Sequence, residues 1–174
     1  MSTIPLAYRT LIDPLIDVAR GIMEGGEQLV PVAFVGNLTI HQTFPVMMDA
    51  SSEEAKDNSA ELVRHLAAIH EADFIFMIMD AWGLPREKMH RFEEIIERYG
   101  SIGASPYRID IVSFALETRH GLWMAQSSVK PKGVSKKKRT FGVPRFELFT
   151  DVQGRFVHLL PVKEPGETPP GVLH

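Results

Sequence analysis

The run Phe74-Ile75-Phe76-Met77-Ile78-Met79 limits the fold more than any other segment. Six consecutive apolar residues with no polar alternate match a β-strand covered on both faces, at the centre of a sheet. The run closes with Asp80-Ala81-Trp82-Gly83. A carboxylate and an indole are therefore expected where this strand leaves the sheet, and functional sites gather at sheet ends and the loops beyond them.

The flanking sequence supplies helices and hairpins around that strand. Ile12, Leu15, Ile16, Ala19, Ile22 and Met23 recur at helical spacing, which predicts one buried helix face. Asp13 and Pro14 suit its first turn; an earlier start near Thr3-Ile4-Pro5 makes Pro14 an interior proline. Gly25 and Gly26 stop it. Residues 30–35 and 38–48 read as antiparallel neighbours across a tight Gly36-Asn37 turn, with Pro45 weakening the second strand or placing it on an edge. Ser51 and Glu54 have capping-box spacing for a second helix, with Ala55, Ser59, Leu62, Leu66 and Ile69 on one side. Residues 86–99 form a third helix, with Phe92, Ile95, Ile96 and Tyr99 turned inward. Residues 109–116 and 122–129 make one hairpin, and 146–149 and 156–160 another across Asp151-Val152-Gln153-Gly154.

The expected fold is α+β: a mixed, largely antiparallel sheet in the order α-β-β-α-β-α-β-β-β-β, covered by helices on at least one face. Residues 1–160 form a single domain, and 161–174, rich in proline and glycine, a disordered tail.

Composition narrows the chemistry. The chain has 174 residues and no cysteine, which removes disulfides, thiolate metal sites and thiol nucleophiles. Asp13 and Asp17 interrupt the N-terminal apolar stretch, and no run approaches the roughly 18–20 apolar residues of a membrane span. A cytoplasmic protein with no membrane contact is expected. The seven histidines show neither HxH nor HExxH spacing, so neither a metal site nor a cofactor is expected. Nucleophile-elbow and phosphate-loop motifs are absent as well.

The net charge of −3 conceals an asymmetry. Six of the 19 basic residues lie in 130–139, leaving 13 basic against 22 acidic residues elsewhere, a net −9. On a mobile loop, Lys130, Lys132, Lys136, Lys137, Lys138 and Arg139 can neutralise phosphates, and Phe141 can stack on a base. The competing account is a solvated loop that blunts a sheet edge. A second cluster is expected at the end of the central strand, where Arg108 and Asp110 approach Asp80 and Trp82 if their strand pairs beside it. Glu117 and His120 lie further along that hairpin.

Several of these segments resemble those of a broad group of small uncharacterised bacterial and phage proteins. They are the glycine-ended helix before Leu29-Val30-Pro31-Val32-Ala33-Phe34, Glu71-Ala72-Asp73, Asp80-Ala81-Trp82, and Pro106-Tyr107-Arg108-Ile109-Asp110 leading to Glu117-Thr118. In that group the residue before Ala-Trp is often Glu, here Asp80, and the residue between Pro and Arg is often acidic, here Tyr107. The resemblance implies a common fold and a link to mobile genetic elements, and no activity.

Three functions fit these features. The first is a non-catalytic binding or accessory domain, able to form a homo-oligomer. The second is a nucleic-acid accessory protein acting through 130–139 by weak, salt-sensitive contact. The third is a carboxylate enzyme with Asp80 as acid/base or metal ligand, Asp110 beside it and Arg108 as anion clamp.

Overall fold

A computed structural model of the chain describes residues 3–150, 152 and 154–161. Helix α1 spans Leu6–Glu24, strand β1 Val32–Asn37, β2 Gln42–Met47, helix α2 Glu53–Ile69 and strand β3 Phe74–Gly83. A 3₁₀ segment, Arg86–Arg91, leads into α3, Phe92–Tyr99. Strands β4 (Ile109–Thr118), β5 (Gly121–Pro131), β6 (Arg139–Phe141) and β7 (Glu147–Phe149) complete the α+β fold. The strand order is β2-β1-β3-β4-β5-β6, with β7 also on β5, and every pairing is antiparallel.

β3 is interior, between β1 and β4. Strand alternation divides its side chains between two cores. Phe74, Phe76 and Ile78 join Val112, Phe114, Leu116 and Trp123 beneath Ile12, Ile16, Ala19 and Met23 of α1. Ile75 and Met77 join Ala33 and Val35 beneath Ala60, Val63 and Ala67 of α2. Helices therefore cover both faces of the sheet, which is why the run of six apolar residues has no polar alternate.

Several local expectations change. Helix α1 takes the earlier start, with Pro5 at its N-cap and Pro14 inside. Strands β1 and β2 are joined by a four-residue turn, 38–41, rather than by Gly36-Asn37. Asp73 Oδ2 accepts a hydrogen bond from Leu38 N at 2.7 Å, and Asn37 Oδ1 accepts one from Ile40 N. Gly36 lies within β1 against the Phe74 ring. In α2 the cap is Ser52, accepting from Ala55 N at 3.0 Å. Its buried face is Ser59, Ala60, Val63 and Ala67, while Leu62 and Ile69 are exposed. Small residues let this helix lie close to the sheet, so volume was a poor guide to which side faces inward. Phe92 of α3 is exposed and Ile95 is buried.

The final hairpin is also different. β7 pairs with β5, and Phe156–Leu160 makes turns and bends rather than a strand. Leu159 nevertheless enters the α2-side core, and Glu117 accepts hydrogen bonds from the Leu159 and Leu160 amides at 2.9 and 2.8 Å. Glu117 therefore docks a returning segment. The tail expected at 161–174 lies outside the described residues except for Pro161, whose carbonyl accepts from Arg119 Nη1. β6 and β7 run along the same edge of β5, separated by a stretch containing Pro144. The opposite edge strand, β2, carries Pro45. Pro45 inside the one outer strand and Pro144 between the two short strands of the other edge each withhold an N–H from edge-to-edge pairing.

Candidate functional site

β3 keeps its ladder with β4 through Gly83, so Asp80, Ala81 and Trp82 still belong to the strand, beyond the cover of α1. Trp82 lies opposite Asp110 and Asp80 opposite Val112. Directly opposed residues share a face, as do residues two apart. Asp80, Trp82 and Asp110 thus stand together on one face at one end of the sheet. All three line a concavity of about 240 Å³, with Met23 from the end of α1, Leu29 from the segment between α1 and β1, Val129 from β5 and Arg139 from β6.

Trp82 is 54% exposed. The Arg108 guanidinium carbon lies 4.8 Å from its ring centroid, a cation–π distance. Arg108 also donates to the Gly103 carbonyl at 2.6 Å. A Cβ at Gly103 would lie 2.5 Å from the indole, so only glycine admits the ring there. Arg108 thus does join the expected cluster, but as the buttress of an indole rather than a free anion clamp. Asp110 meets Arg139 at 3.6 Å. Asp80 makes no hydrogen bond or ion pair with any described residue.

The basic segment is a built hairpin rather than a mobile loop. Lys132 N donates to Lys138 O at 2.9 Å, and Ser135 Oγ accepts from the Lys137 and Lys138 amides. Gly133 turns the chain at φ 65°. Glu24, the last residue of α1, anchors the hairpin: Lys132 Nζ lies 2.5 Å from Oε1, and Thr140 Oγ1 donates to Oε2 at 2.7 Å. These hydrogen bonds, Lys132 first, hold the Glu24 carboxyl below its ordinary pKa. Lys130, Lys136, Lys137 and Lys138 make no ion pair among the described residues. Lys130, Lys136, Lys138 and Arg139 line a second concavity of about 450 Å³, which shares Asp110, Val129 and Arg139 with the first.

Phe141 departs from the expectation of a stacking ring. It is 2% exposed, packs 5.5 Å from Phe114 and lies under the Arg20 guanidinium. Its position in β6 turns it into the α1-side core. Sequence reasoning missed Gly103 and Glu24. Glu24 left a signal: an acid in the last helical turn opposes the helix dipole and calls for a cationic partner.

Among the described residues no group of three or more His, Asp or Glu is placed to hold a metal ion, and no helix is long and apolar enough to cross a membrane. Comparison with protein-family models, with curated proteins and with solved structures returns no match for this chain.

Proposed function

We propose that this chain is a non-catalytic accessory domain that binds the phosphate backbone of nucleic acid along the groove floored by β3–β6 and walled by the β5–β6 hairpin. The observation that carries this reading is the continuity of the two concavities through Asp110, Val129 and Arg139. The continuity sets lysines with no acidic partner beside an exposed indole. Ordered lysines that no acid neutralises attract phosphates and release counterions, a contact that weakens with salt. The groove's own carboxylates and the acidic body restrict this attraction to the hairpin, so binding is local and modest. The enzyme reading has less support, because Arg108 is occupied by the indole and the Gly103 carbonyl.

Fluorescence anisotropy of a labelled single-stranded oligonucleotide tests the reading. Binding should appear near 50 mM salt and weaken markedly by about 200 mM. Changing Lys136, Lys137 and Lys138 together to Gln should weaken it and flatten the slope of log K against log salt by about 2. No binding at low salt, or equal binding by the variant, contradicts the proposal.

A further inference from the structure

We infer that Asp80 and Trp82 form a base-reading subsite for a single-stranded nucleic acid, with Trp82 stacking one base and the Asp80 carboxylate accepting from that base's exocyclic amine. This rests on the phosphate-binding reading of the same groove and goes beyond it, since phosphate contacts alone carry no sequence information.

Three observations converge. The Trp82 indole is half exposed and lines the groove, while the other tryptophan, Trp123, is 4% exposed and belongs to the core. Arg108 and Gly103 hold the indole in place, so little further order is needed for stacking. Asp80 sits two residues away on the same strand face, about 7 Å along it, within the span of a base lying on the indole. Its carboxylate lines the same concavity and is engaged by no described residue. Asp110, the other carboxylate there, is held by Arg139.

The chemistry follows from these positions. A phosphate-binding groove gains nothing electrostatic from a free carboxylate on its floor. An ionised carboxylate only accepts hydrogen bonds. It therefore suits a base edge that presents N–H groups: cytosine N4, adenine N6, or guanine N1 and N2. Thymine flanks its single N–H with two carbonyl oxygens, which a carboxylate repels. Cytosine and thymine are both pyrimidines of similar stacking area, so comparing them isolates the amine. The lysine-lined wall then carries the adjoining phosphates.

The test compares labelled oligo(dC) and oligo(dT), each about eight nucleotides, a length within the usual range of single-strand sites. Fluorescence anisotropy at low salt is read for the unmodified chain, Asp80→Ala and Trp82→Leu. The inference expects oligo(dC) to bind about tenfold tighter than oligo(dT). Asp80→Ala should erase that ratio, while oligo(dT) binds as well or better because a repelling charge has gone. Trp82→Leu should weaken both by about tenfold, the loss of one stacked base. Equal binding of both oligonucleotides to the unmodified chain, or an Asp80→Ala variant that improves both alike, overturns the inference and leaves the phosphate-binding reading standing. Absence of any binding removes both.

Discussion

Gly36 has no room for a side chain: a Cβ there would sit 2.1 Å from the Phe74 ring, itself wholly buried under α1. Gly36→Ala should destabilise the fold by about 1–3 kcal/mol, the range for overpacking a core, as read by urea denaturation. An unchanged midpoint would mean that the β1–β3 packing is looser than described. Phe141 makes the complementary case. Phe141→Leu should cost about 1–2 kcal/mol, through lost volume and lost ring contacts with Phe114 and Arg20, and leave oligonucleotide affinity unchanged. A loss of affinity with stability intact would put that ring in the groove after all. The sequence could not show this, because Phe141 stands only two residues after the basic run and its orientation depends on the β5–β6 register. Trp82 was legible, since it closes the segment that continues an apolar run unlike any other in the chain. Its dependence on Gly103 was not, because the contact spans a connection of unknown path.

Elements were easier to foresee than the faces they bury. β3 was readable because double-sided burial leaves a mark that few other structures leave. Helix α2 was recognisable, yet its inward face was misjudged, since Ala60, Val63 and Ala67 give less signal than Leu62 and Ile69. Ser52→Ala should cost about 1 kcal/mol through loss of the N-cap, whereas Ser51→Ala should cost far less. Equal losses in thermal denaturation would contradict the cap assignment. The β5–β6 hairpin depends on Glu24. A carboxyl whose folded pKa is depressed contributes stability above its unfolded value, near 4.3, and loses it as pH falls through the folded pKa. Amide resonances of residues 132–140 should therefore move toward a less ordered pattern as pH falls below that unfolded value. Glu24→Gln should show much of that change already at neutral pH. A hairpin insensitive to both would mean that the Lys132 and Thr140 contacts do not hold it.

At the scale of the whole molecule, one basic hairpin projects from an otherwise acidic body, beside the end of the sheet where the interior strand β3 presents the exposed indole. Charge counting revealed the asymmetry but could not join it to the central strand. That junction exists only because β4 and β5 bring Asp110 and Val129 between β3 and β6. Docking of the 156–161 segment by Glu117 and Arg119 was likewise invisible, since it depends on a chain return 42 residues away in sequence. Hydrogen–deuterium exchange of the unmodified chain, with and without saturating single-stranded oligonucleotide, addresses the central claim most directly. Protection should rise together in residues 80–82 and 130–140 and nowhere else to the same degree. Protection confined to another face, or none at either segment while oligonucleotide is bound, would contradict the account.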